Sequence, residues 1–129
     1  AQNPHDLRGS ILRIRPDGSI PEGNLFPPDG SQGRPEIYTK GNRNPFRIAV
    51  DADSGRLFWG EVGPDAVADG PRGPRGYDEI NVADAPGNFG WPYCIGPNLA
   101  YNRYDYATGA IGAPYACDTF LPSLLAYDY

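Results

Sequence analysis

Glycine and proline punctuate this chain so often that no long regular helix fits between them. The 129 residues include 17 Gly and 15 Pro, about a quarter of the whole, a share that nears low-complexity composition. Aromatic residues argue against disorder. Nine Tyr, five Phe and two Trp are large rigid side chains to bury, and disordered chains are poor in them. The length suits one small domain or a piece of a larger one. The expectation is an all-β, loop-rich and turn-rich structure with little or no helix.

The segments between the punctuation read as short strands. Ser10-Ile-Leu-Arg-Ile-Arg15 alternates in part and ends at the turn signal Pro16-Asp-Gly18. Residues 19–35 are loop, and Glu36-Ile-Tyr-Thr39 is a short strand. Phe46, Ile48 and Val50 alternate onto one face before Asp51-Ala-Asp-Ser-Gly55, and Arg56-Leu-Phe-Trp-Gly-Glu61 returns, which makes the clearest hairpin. Residues 62–75 form a polar Gly/Pro loop long enough to be either functional or disordered. Tyr77–Val82 is a strand, 101–106 is aromatic and polar, and the apolar stretch 120–127 is a candidate last strand. Short strands between turn signals indicate a propeller, a sandwich or a small barrel.

Charge and cysteine usage narrow the partners. The net charge of −5 repels phosphate backbones, the arginines are scattered, and nucleic acid is not an expected partner. No apolar run reaches the length of a membrane span, so no membrane insertion is expected. Cys94 and Cys117 lie too far apart for a CxxC motif, and the sole histidine, His5, is near the first residue. The pair reads as a structural disulfide in an oxidising, extracellular or periplasmic compartment, the alternative being two buried thiols.

The run from Gly76 to Cys94 sets glycines and prolines beside carboxylates, amides and an aromatic pair, the composition of a rigid loop that presents ligands. Four motifs occur in order: Gly41-Asn-Arg-Asn-Pro45, Gly55-Arg-Leu-Phe-Trp-Gly-Glu-Val-Gly-Pro64, Asp78-Glu-Ile-Asn81 and Gly87-Asn-Phe-Gly-Trp-Pro92. Their order and spacing resemble the soluble glucose/sorbosone (aldose sugar) dehydrogenase family, which depends on pyrroloquinoline quinone (PQQ). The resemblance covers most of the chain.

The resemblance implies antiparallel four-stranded propeller blades, about two of the family's six. The expected division of residues 1–129 is one blade over 1–62 and another over 63–129. It further implies a PQQ cofactor, calcium, and a sugar or polyol substrate oxidised with electrons passed to an external acceptor. Arg43 and Asn44 match cofactor-contact positions, and an arginine suits the quinone's carboxylates because its charge is permanent and its donors planar. Gly63 and Pro64 match a pair of calcium-binding carbonyls, Asp78 and Glu79 match an acidic pair beside that site, and Phe89 stands where a backbone carbonyl contributes in some members. Trp91 is a candidate for stacking on a sugar face, or else a packing residue.

Some features depart from the family pattern. Asn42 stands where the family commonly has His, residues 67–75 lengthen a loop, and the segment after Cys117 is short. The family's proton-abstracting histidine has no counterpart, since His5 is in the wrong place, and no catalytic residue is assigned. Two functions are therefore expected as alternatives. One is part of a secreted quinoprotein sugar dehydrogenase completed by the remaining blades. The other is a non-catalytic scaffold or carbohydrate-binding module, derived from that fold, that pairs with further copies of itself.

Overall fold

The structure is a computed structural model that describes residues 1–128; Tyr129, the end of the expected second blade, lies outside the described residues. The strands are β1 (Ser10–Leu12), β2 (Ile37–Lys40), β3 (Pro45–Val50), β4 (Leu57–Glu61), β5 (Tyr77–Ala83), β6 (Gly87–Asn88), β7 (Cys94–Ile95), β8 (Leu99–Ala100), β9 (Asn102–Tyr104), β10 (Ile111–Pro114) and β11 (Leu125–Asp128), with no helix among the described residues. The all-β expectation holds, and the Gly/Pro punctuation explains it, because neither residue is favoured in a helix interior.

A four-stranded antiparallel sheet in the order β11-β5-β4-β3 forms the main layer. Beside it lie a three-stranded sheet, β1-β2-β6, and two small ribbons, β10-β9 and β7-β8. The four-stranded sheet draws β3 and β4 from one side of residue 62 and β5 and β11 from the other. This sheet thus joins strands from both sides of residue 62. The physical reason is the β4–β5 ladder, in which Leu57 pairs with Ala83, Trp59 with Asn81 and Glu61 with Glu79.

The β3–β4 hairpin forms where its alternation and turn residues place it. Asp51 organises the turn: its carboxylate accepts from the Ser54 N–H at 3.2 Å and from the Ser54 hydroxyl. The Gly55 N–H returns to the Asp51 carbonyl at 2.8 Å, with Gly55 at φ 72°, a conformation that favours glycine.

The core lies on one face of β4 and β5. Ile11, Tyr38, Leu57, Trp59, Ala83 and Phe89 form a single buried cluster, with Phe89 meeting the Trp59 ring edge-on at 4.6 Å. The same face continues onto β3, where Ile48 pairs with Trp59 and Val50 with Leu57. There the covering layer ends. Phe46, Ile48 and Val50 are 60%, 58% and 65% exposed, so β3 carries the expected apolar alternation without burying it.

The cysteines form the disulfide Cys94–Cys117, with Cα atoms 6.0 Å apart, and neither is a free thiol. In the chain-entropy account, a cross-link closing a loop of this size contributes about 3 kcal/mol. No helix of the described residues is long and apolar enough to cross a membrane.

Two outcomes follow from this packing. Trp59→Ala removes the largest core side chain and should lower the unfolding free energy by about 3–5 kcal/mol in a urea titration followed by circular dichroism. Ile48→Lys places a charge on the uncovered shoulder of the sheet and should leave stability within about 0.5 kcal/mol. Light scattering should then show a larger monomer fraction than for the unsubstituted chain.

Candidate functional site

The β4–β5 ladder changes chemistry along its length. Its inner face runs from Leu57 and Ala83, through Trp59 and Asn81, to Glu61 and Glu79, and all six residues are buried. Two carboxylates thus sit side by side at the end of a hydrophobic face. Each is held by donors. Glu61 Oε1 accepts from the Arg43 and Asn44 backbone N–H groups, both at 2.5 Å, and Oε2 accepts from Trp59 Nε1 at 3.0 Å. Glu79 accepts from Asn81 Nδ2 at 2.9 Å and from the Gly96 N–H at 2.5 Å.

Glu61 therefore shapes the loop Gly41–Pro45. With two successive N–H groups turned down onto its carboxylate, Arg43 emerges at the rim, half-buried, and Asn44 is exposed. The Arg43 guanidinium donates to the Val62 carbonyl at 2.9 Å and lies 5.8 Å from the Trp91 ring centre. Its permanent charge makes no ion pair among the described residues.

The Gly87–Pro92 segment is stitched to the same loop. Phe89 N–H donates to the Lys40 carbonyl at 2.9 Å and Trp91 N–H to the Gly41 carbonyl at 2.8 Å. Gly41 has φ 73°, and a Cβ there would collide with the Asn88 side chain. Gly63 approaches the next strand so closely that a Cβ would strike the Tyr77 carbonyl, and its N–H donates to Asp78 Oδ1 at 2.8 Å. These glycines are required by close packing of backbones.

Among the residues expected from sequence, Arg43, Gly63, Glu79, Phe89, Trp91 and Cys94 converge on one small cleft, together with Glu61. The cleft measures about 10 Å³, room for about one water. A larger ligand would lie over its mouth. Asn44 and Asp78 stand beside the cleft, Pro64 lines a neighbouring groove, and Cys117 serves only to anchor Cys94. Asp78 and Glu79 are engaged by different backbone donors, Gly63 and Gly96. Trp91 is half-buried, with Tyr101 edge-on at 5.9 Å. Asn42 is buried and donates to the Thr39 hydroxyl at 3.1 Å. His5 is exposed near the first residue.

This arrangement of motifs has relatives. The family described as Glucose / Sorbosone dehydrogenase matches residues 1–112. The chain belongs to the glucose/sorbosone dehydrogenase family. It is 37% identical over 114 residues to "Aldose sugar dehydrogenase YliI" of Escherichia coli K12, covering 88% of this chain and 28% of that protein. It is 36% identical over 107 residues to "Quinoprotein glucose dehydrogenase B" of Acinetobacter calcoaceticus, covering 80% of this chain and 20% of that protein. The crystal structure of the soluble aldose sugar dehydrogenase of Escherichia coli, in its apo form, superimposes with a TM-score of 0.64 at 29% identity, over 98% of this chain and 32% of that one. The chain thus spans under a third of the length of these relatives, and its fold is a portion of the family's β-propeller.

Within this glucose/sorbosone dehydrogenase portion, two residues of the site escape a motif-by-motif reading. Glu61 could have been found from period two alone, since Leu57, Trp59 and Glu61 share a face. Tyr101 has no local signal. Its hydroxyl is buried without a partner among the described residues, and burial raises its pKa to about 12, partly opposed by Arg43 and reinforced by Glu79.

Burial also raises the Glu61 carboxyl from 4.5 to about 7, opposed by its three donors and reinforced by Glu79. Glu79 shifts the same way, chiefly through burial. Between the unfolded value near 4.5 and the folded value near 7, the folded state binds more protons, so stability falls as pH rises through that window. The Glu61 contribution is at most about 3 kcal/mol. Denaturant titrations from pH 4 to 8 should show this decline, and Glu61→Gln should flatten it, whatever its effect on absolute stability.

Proposed function

We propose that the chain forms one wall of a quinoprotein sugar dehydrogenase, with Arg43 and Asn44 holding the carboxylates of PQQ. The observation that carries the reading is Arg43 itself. Its guanidinium stands at the mouth of the cleft, fixed by one carbonyl and by Trp91, with donors directed to no carboxylate among the described residues. An arginine so placed suits a planar polyanionic ligand, because its fork of donors matches carboxylate geometry. PQQ, when bound, supplies the two-electron oxidant for an aldose or related polyol. The chain's own part is to hold and orient it: Glu61 fixes the arginine loop, and Trp91 closes one side.

Calcium fits these residues less well. The Pro64 carbonyl already accepts from the Ala66 N–H at 2.8 Å, and Glu79 is committed to Gly96 and Asn81, with burial favouring its protonated form. A protonated carboxyl is a poor ligand for a hard cation. Among the described residues, no three His, Cys, Asp or Glu side chains cluster to hold a metal. Gly63 and Asp78 are the donors this wall would lend to a calcium ion completed by other parts of the propeller.

The proton-abstracting base, in this reading, belongs to the remainder of the propeller, of which the chain covers under a third. The same remainder would cover Phe46, Ile48 and Val50. An extracellular or periplasmic setting accords with the Cys94–Cys117 disulfide. A second reading, a self-assembling scaffold without catalysis, is favoured by the uncovered β3 shoulder alone.

Titrating PQQ while following tryptophan fluorescence separates the two. Saturable quenching is expected, because Trp91 lies beside Arg43, and Arg43→Ala should weaken it at least tenfold without changing the circular dichroism. Equal quenching in the variant sinks the cofactor role of Arg43. The absence of quenching in the unsubstituted chain leaves the scaffold reading.

A further inference from the structure

Beside the Arg43 cleft runs a groove of about 630 Å³, between the loop from Pro64 to Pro74 and the segment from Trp91 to Tyr115. Tyrosines and prolines dominate its lining, and Arg72 is the only charged residue there. The rings hold one another in place. Tyr93 and Tyr115 stack at 4.2 Å and 20°, and Tyr104 meets Tyr106 edge-on at 4.9 Å. Such rings offer an apolar body and a polar tip at little cost in conformational entropy.

Backbone acceptors along the groove are engaged within the protein. The Pro71 carbonyl accepts from the Asn102 side-chain amide at 2.9 Å, and the Arg72 carbonyl from the Asn102 backbone N–H at 2.8 Å. The Tyr93 carbonyl accepts from the Tyr101 N–H, and the Tyr101 carbonyl from the Tyr115 N–H, both at 2.9 Å. Hydroxyl protons are what the groove has left to offer. The Tyr101 hydroxyl is buried without a partner among the described residues. The Tyr106 oxygen accepts from the Arg72 guanidinium at 3.1 Å, which leaves its own proton to donate.

This pattern fits a ligand that presents apolar rings, accepts hydrogen bonds and donates none from its backbone. A run of prolines has these properties, because each residue keeps its carbonyl, lacks an N–H and carries a pyrrolidine ring. Its polyproline II helix is formed before binding, so little further order is imposed. An ordinary extended segment would bring N–H groups to carbonyls already engaged.

Charge adds a second requirement. Arg72 lies over Tyr104 at 4.2 Å and Arg103 over Tyr115 at 4.6 Å, and neither makes an ion pair among the described residues. Two such guanidiniums on the rings of one groove favour a carboxylate on the partner. A neutral saccharide does not answer them.

We propose that the groove docks a proline-rich segment of a partner polypeptide, with an aspartate or glutamate beside the prolines to meet Arg72 and Arg103. This goes beyond the dehydrogenase reading and does not rest on it, since neither Arg43 nor a cofactor takes part.

Calorimetric titrations without quinone give the test, using three end-capped peptides of equal length and maltohexaose. The first peptide is eight prolines followed by two aspartates, the second has asparagines in place of the aspartates, and the third has alanines in place of the prolines. The first should bind about tenfold more tightly than the third and about threefold more tightly than the second. Tyr106→Ala should weaken its binding about tenfold, and because Tyr106 is 81% exposed its loss leaves the core intact. Tyr101→Phe keeps the ring, removes the proton and should weaken binding about threefold. Arg103→Gln should erase the advantage of aspartate over asparagine with unchanged circular dichroism. The proposal is overturned if the first peptide binds no more tightly than either of the others, if Tyr106→Ala and Tyr101→Phe both bind it as tightly as the unsubstituted chain, or if maltohexaose binds and the proline peptides do not. Loss of peptide binding with PQQ quenching intact removes the docking proposal alone, and the reverse removes the quinone reading alone.

Discussion

The buried carboxylate of Glu61 is the interaction on which the site depends. Three donors converge on it, two from the Gly41–Pro45 loop and one from Trp59, so one side chain joins the hydrophobic core to the loop that carries Arg43. Burying an ionisable group is costly unless it is well hydrogen-bonded, and here the donors are largely backbone amides that would otherwise lack partners. The cost is visible in the raised pKa, and the return is a loop with one defined shape. Without that anchor, Arg43 would be a flexible surface arginine.

The β4–β5 register makes the anchor possible. A slip of one residue would turn Leu57, Trp59 and Glu61 to the opposite face, and the Glu61–Glu79 pair would leave the cleft with them. The register is held by Trp59, Leu57 and Ala83 packing on Phe89 and Tyr38. Core and site are therefore one device. The hydrophobic half of the ladder sets the alignment, and the acidic half uses it.

The second half of the chain adds a different kind of surface. Around the Cys94–Cys117 bridge, short ribbons and turns hold tyrosines that the main sheet does not bury. The 62–75 loop folds back onto this region through Asn102, which donates to the Arg72 and Pro71 carbonyls. Its glycines and prolines shape a wall instead of a tether.

Much was legible in the chain itself. The alternation of residues 46–50 and 56–61, with Asp51 to Gly55 between them, determined the β3–β4 hairpin, because a period of two and a turn sequence are local properties. The ordered motifs around Arg43, Gly63 and Trp91 determined the family and the residues that line the cleft. Tertiary structure alone decided the rest. Whether the apolar face of β3 is buried depends on what packs over it, which alternation cannot encode, and Phe46, Ile48 and Val50 prove to be exposed. The pairing of β4 with β5 across residue 62 was also decided by the fold, since strand pairing is a long-range choice. Likewise the burial of Glu61 and Glu79 in the cleft beside Arg43, and of the Tyr101 hydroxyl in the neighbouring groove, came only through packing, because burial, which sets their chemistry, is a property of the assembled fold.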